Sequence, residues 1–241
     1  MPGGAYSELS GMRARLEELD RLAADLANVS TAGYKTQRSG TYMAERDQFG
    51  AELDSAVDVV AGVSRTDFRP GTIATTGRDL DVAIEGNGFF VIQTPAGERY
   101  TRDGGFTRRA DGVLTTGAGE PVLGDGGGEI TLNAGAASID ANGNVRSGNA
   151  VVGQLRVVRF AAPNDLIRES GARFRAIAGA SPEDAEDARL MGGAIEQSNV
   201  SVVDIMARLT DVSRNFESLQ RGVTTFNNEL DGRAISELTR R

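Results

Sequence analysis

The sequence has 241 residues, 26 Lys and Arg against 34 Asp and Glu, a formal net charge of −8, and neither His nor Cys. That balance repels phosphate backbones and argues against a nucleic-acid partner. The absent imidazoles and thiols exclude Ser-His and Cys-His catalytic pairs, thiolate or imidazole metal sites and a disulfide framework.

A hydrophobic share of 39% suffices for a buried core. The glycines are dense between Gly71 and Gly153, but after Val200 only Gly222 and Gly232 occur. Composition thus separates a turn-rich middle from a helical end.

Residues 1–36 open with a helix. Leu9, Met12, Leu16, Leu19, Ala23 and Leu26 alternate steps of three and four, the a/d spacing of a helix made to lie along another. Ser7 is a candidate cap and Gly33 a stop, which predicts a helix from about Ser7 to Asn28. Charges from Glu8 to Asp25 leave no apolar stretch for a cleavable signal peptide, and no run reaches membrane-spanning length. Export, if it occurs, is expected by a route that needs no such peptide.

Residues 37–75 have weak periodicity, broken at Pro70-Gly71, and are expected to form an extended connector. Residues 76–190 read as a central all-β domain. Leu80–Glu85 alternates, Gly86-Asn87-Gly88 turns the chain, and Phe89–Gln93 is expected to return as a strand beside it. Further short strands are expected at 98–101, 105–108, 112–115, 129–132, 138–140, 151–160 and 173–177, separated by turns such as Asp103-Gly104 and Asn142-Gly143. One phenylalanine of the Phe89-Phe90 pair is expected in the core and the other toward a neighbour or the core edge.

Residues 191–241 hold the longer helix. Val202, Ile205, Leu209, Val212, Phe216, Leu219, Val223, Phe226 and Leu230 keep the 3-4 rhythm over four heptads, and Ser201 with Asp204 fits a capping box before them. An apolar seam is marginal alone in water, so each end predicts a covering partner. Both ends carry a net charge near −1 and the middle the remaining −6, which lets the ends crowd together while the middle faces solvent.

Three candidate sites fail on their own chemistry. Asp140, Asn142 and Asn144 begin like a calcium loop, but glycine falls at the fourth position and Val151 stands where a bidentate Glu belongs. Gly124–Gly128 lacks the Lys, the Ser or Thr and the following helix of a phosphate loop. Asp79, Asp81 and Glu85 could form a carboxylate pair, but they lie on an alternating strand whose acids are expected to face water. No catalytic residue, cofactor or metal is assigned.

Three stretches together resemble the rod and hook family of axial proteins of the bacterial flagellum. Leu19–Lys35, with Asn28, Thr31, Gly33 and Tyr34, is similar to its amino-terminal signature; one departure is Asp25, where the family usually has Asn. Gly77–Val91, with Gly86, Gly88 and Phe89, followed by Tyr100–Gly104, is similar to its central β motif. Ile195–Val200, with Ser198, Asn199 and Val200, resembles the third.

The resemblance implies an α+β fold, in which long amino- and carboxy-terminal helices form a coiled-coil-like bundle around a central all-β domain. It implies a structural, non-enzymatic subunit of the proximal rod, exported by the flagellar type III apparatus to the periplasm, where it self-assembles and transmits torque. The implied partners are other copies of the chain, proximal and distal rod proteins, and the export apparatus. Alternatives are a distal-rod paralogue, or a secreted glycan-binding protein with a helical stalk; the absence of Trp weighs against the latter.

Overall fold

A computed structural model describes residues 3–39, 42–43, 59–60, 64–162, 165–185 and 187–238. Side chains are described from 11 to 38 and from 65 to 222 apart from the gaps just named, and at Thr224 and Thr225. Most of the predicted connector, and the side chains of Leu9, Val223, Phe226 and Leu230, lie outside the described residues.

The chain divides into two compact units. The first comprises Met1–Leu26, Gln37–Arg65 and Ser201–Arg241. Its elements are α1 (Gly3–Ala27), β1 (Gln37–Ser39), β2 (Tyr42–Met43), β3 (Val59–Val60), β4 (Ser64–Thr66) and α2 (Val202–Leu238). Ser7 lies inside α1 rather than at its start. Ser201 does cap α2: its hydroxyl accepts from the Asp204 amide at 3.3 Å and its carbonyl from Ile205 at 3.0 Å.

The predicted bundle is not formed. Among the described residues there are two helices and the remaining regular structure is mostly β, and α1 and α2 share too little contact to run side by side as a coiled coil. A 3-4 repeat says which face of a helix is apolar but not what covers it. On α1 the most buried positions are Leu22 and Asp25, outside the repeat, while Leu16 within it is 48% exposed. Met12, Leu19 and Leu26 are half-buried. On α2, Ile205 and Val212 are buried, Leu209, Phe216 and Leu219 half-buried, and Val202, Val203 and Met206 exposed.

The second unit, Ala27–Thr36 with Thr66–Val200, carries the β structure. Its strands are β5 (Ile73–Thr75), β6 (Val82–Glu85), β7 (Phe89–Thr94), β8 (Gly97–Thr101), β9 (Thr107–Arg108), β10 (Leu114–Thr115), β11 (Ala137–Ile139), β12 (Asn144–Ser147) and β13 (Ala150–Gln154). After them come β14 (Val157–Arg159), β15 (Leu166–Ser170), β16 (Arg173–Ala176), β17 (Glu183–Asp184), β18 (Arg189–Gly192) and β19 (Ala194–Glu196). A six-stranded antiparallel sheet runs β15-β16-β8-β7-β14-β17, and β11-β12-β13 form a three-stranded meander.

The expected β6–β7 hairpin is absent. β6 pairs with β18, whereas β7 pairs with β8 and β14. Gly86-Asn87-Gly88 therefore passes the chain from one sheet to another. The expected alternation along β6 fails as well, because Val82, Ala83 and Ile84 are all buried; a strand covered on both faces has no solvent side to alternate with.

β7 is the centre of two cores. Phe90 and Ile92 enter one with Val82, Ile84, Phe106 and Leu114. Phe89 and Val91 enter the other with Tyr100, Val158 and Phe174. The expectation that one phenylalanine enters the core and the other turns toward a neighbour or the core edge is corrected: each ring enters a core of its own, Phe89 and Phe90 being 7% and 0% exposed. Phe89 meets Phe68 edge-on at 5.5 Å between ring centroids, and Phe90 meets Phe106 at 5.1 Å.

Candidate functional site

The three sequence stretches converge on one buried ionic cluster in the second unit. β19 pairs with β5, which sets Glu196 opposite Ile73. The end of β8, held by β7, delivers Arg102. Residues 33–36 lie along 196–199: Gly33 N donates to Glu196 O at 2.8 Å, Asn199 N to Tyr34 O at 3.3 Å, and Thr36 N to Asn199 Oδ1 at 2.8 Å.

Lys35, Glu196 and Arg102 are 0%, 1% and 4% exposed. Lys35 Nζ lies 2.5 Å from Glu196 Oε1 and donates to Arg69 O at 2.9 Å. The same Oε1 accepts from Gly71 N at 2.8 Å. Arg102 Nη1 reaches Glu196 Oε2 at 3.3 Å, its Nη2 donates to Gly86 O at 2.7 Å, and its guanidinium lies 5.2 Å from the Phe89 ring centroid. Two cations thus share one carboxylate, and backbone carbonyls take up the remaining positive charge.

Burial lowers Lys35 below its usual 10.5, opposed by the hydrogen bond and charge of Glu196. Burial likewise lowers Arg102, again opposed by Glu196. Desolvation is repaid only when geometry and hydrogen bonds are nearly complete; here the one shortfall in the cluster among the described residues is Arg102 Nε, which is buried without a partner.

The family-motif residues surround it. Thr31 Oγ1 bonds Asn28 Oδ1 at 3.2 Å. Gly33 has φ +67°, and a Cβ there would lie 2.3 Å from the Arg102 carbonyl carbon. Tyr34 is buried and accepts from Arg168. Asn199 Nδ2 donates to Asp67 O at 2.8 Å, and Ser198 Oγ accepts from Val200 N at 3.3 Å. A Cβ on Gly88 would lie 2.9 Å from Val157 Cγ1.

Sequence reasoning did not single out Lys35, Arg102, Glu196 or Arg168. Each stands within or beside a short polar run, and nothing local marks it as buried. Of the carboxylates considered above, Asp79 and Glu85 are exposed, but Asp81 is buried, corrected from a solvated position: its Oδ2 accepts from Thr76 Oγ1 at 2.6 Å. Asp140 closes a turn, accepting from the amides of Asn142 and Asn144 at 2.9 and 3.0 Å.

Two family models and several relatives match the chain. Residues 83–147 fit the family model for the flagellar hook protein FlgE/F/G D1 domain, and residues 191–236 the model for the flagellar basal body rod FlgEFG protein C-terminal region. A flagellar basal-body rod protein FlgF of Caulobacter vibrioides is 36% identical, with 92% of each chain covered. The chain belongs to the flagellar basal-body rod protein family. Rod protein FlgG of Bacillus subtilis is 33% identical, covering 91% of this chain and 93% of its own. Rod protein FlgF of Salmonella typhimurium is 32% identical over 97% of both. This rod protein is therefore a structural subunit of the flagellum, and none of its described helices is long and apolar enough to cross a membrane.

Proposed function

We propose that the chain is a torque-bearing subunit of the proximal rod, structural rather than catalytic. On this reading it is exported by the flagellar type III apparatus and assembles in the periplasm with other copies and with proximal and distal rod neighbours. The observation that carries the reading is the incomplete cover of α2: Leu209, Phe216 and Leu219 stay half-buried beside exposed Val202, Val203 and Met206. Apolar positions left part-covered in one chain are completed by another, and a head-to-tail contact that does not close grows a filament. Residues 27–36 follow α1 in the chain and residues 197–201 precede α2, and segments of both are tied into the Lys35–Glu196–Arg102 cluster.

The assembly positions of this proposal are Leu9, Met12, Leu16, Leu19 and Leu26 on α1, and Val202 through Leu230 of the α2 repeat. Leu209→Asp or Phe216→Asp is expected to abolish rod assembly and swimming while the chain still folds, because an unpaired charge in a covered apolar position costs several kcal/mol. Arg214→Ala, on an exposed face, is expected to swim normally. Normal motility of either Asp variant at normal expression would remove α2 from the interface.

A further inference from the structure

Among the described residues, the two outer strands of the six-stranded sheet, β15 and β17, each pair on one side only and differ in charge. β15 and β16 carry Arg168, Arg173 and Arg175 against the single Glu169; Arg173 also pairs with Glu120 and Arg168 bonds Tyr34, which leaves Arg175 as the cation facing outward beside Ile167. On this edge Ile167 is 45% exposed and sits directly across from Arg175 in the strand register. Arg175 Nε holds Glu169 at 3.2 Å, which fixes the guanidinium beside the isoleucine.

The opposite edge, β17, holds Glu183 and Asp184 with no base. Beside it opens a cavity of about 390 Å³. Its lining is mainly polar, with Asn142, Gln154, the acids Asp125 and Asp184, and Arg189 as the one lining cation; Val157 and Ala188 add apolar surface. Arg159 of the neighbouring β14 partly offsets this edge, lying 3.4 Å from Glu183 and 3.8 Å from Asp187, so Asp184 and Asp125 are the acids left to face a partner. Five strand spacings of ~4.8 Å set the two edges about 24 Å apart, facing away from each other.

We propose that the β15–β16 edge of one copy docks on the β17 edge of a second, with Ile167 against Val157 and Ala188 at the cavity mouth and Arg175 against its Asp125–Asp184 rim. The inference rests on the reading of the chain as a self-assembling rod subunit. Opposite charge selects unlike edges and rejects like ones. The contact is therefore heterologous, and because each copy keeps a free edge of each kind, it propagates instead of closing into a dimer.

The chain's lack of cysteine makes the test direct. Full-length Ile167→Cys and Ala188→Cys variants, mixed and treated with a short bismaleimide, are expected to give mixed dimers, and the double variant a ladder beyond the dimer. Adding Arg175→Glu to the first chain is expected to lower the yield about tenfold, and Asp184→Arg in the second chain to restore it. Absence of mixed dimers, dimers only between like variants, or indifference to Arg175→Glu would overturn the contact. Purified basal bodies separate the two levels: a tagged parent chain missing from them defeats the rod reading, whereas a parent chain present there with no cross-link defeats the edge contact alone.

Discussion

Lys35 and Glu196 are 161 residues apart in the chain and 2.5 Å apart in the fold. The contact joins the segment that follows α1 to the one that precedes α2, and Arg102 from the centre of the β structure shares the same carboxylate. Two covalent exits from the second unit are thereby fastened at one point.

Glu196→Ala is expected to be the most damaging change in this cluster. It strands two buried cations, and breaking a buried pair typically costs about 3–5 kcal/mol. Lys35→Met should cost less, because Glu196 keeps Arg102 and the Gly71 amide. Urea unfolding of the full chains, read as a double-mutant cycle, measures both. Losses below about 1 kcal/mol for Glu196→Ala would show that the carboxylate is not holding the segments.

Gly33→Ala and Gly86→Ala should differ sharply although both residues have positive φ, +67° and +99°. At Gly86 nothing lies within 4 Å of an added Cβ, so the cost is the conformational one, about 1 kcal/mol. At Gly33 the Cβ would collide with the Arg102 and Asp103 backbone, forcing apart the segments that carry Lys35 and Arg102. Melting curves of the two variants should separate by well over the Gly86 effect; equal melting temperatures would contradict the close approach.

Phe89→Ala and Phe90→Ala should both destabilise the folded chain, each by about 3–5 kcal/mol, because each ring fills a different core. Thermal melts of the two variants check this. A change in assembly without a change in melting for either one would reinstate an outward-facing role.

The Asp103 carboxyl is raised above its usual 3.8, by burial first and then by the charge of Asp81, against the bond from Gly105 N. The folded state therefore holds this proton more tightly than the unfolded chain. Stability from this group falls as pH rises from about 3.8 through the raised value, then levels off. Asp103→Asn keeps an acceptor for Gly105 N, 2.9 Å away, and removes the charge. It should flatten that acidic segment of the pH profile and leave stability at neutral pH equal or higher. An unchanged profile would assign the dependence elsewhere.

What the sequence determined by itself was local. The 3-4 repeats marked both helices, an apolar run marked β7, short runs between turn signals marked β8 and β16, and the Ser201 cap was legible because its partner is three residues away. The three motif stretches carried the family for the same reason, each being contiguous. Strands β12, β15, β18 and β19 escaped because they are short, partly polar and stabilised by partners far along the chain. Tertiary structure alone decided that β6 leaves β7 for β18, that Phe89 and Phe90 enter separate cores, and that the two helices do not run together as a bundle. It also decided which charges are buried. Lys35, Arg102 and Glu196 look like solvated residues in sequence, since desolvation depends on what surrounds a side chain and not on its neighbours along the backbone.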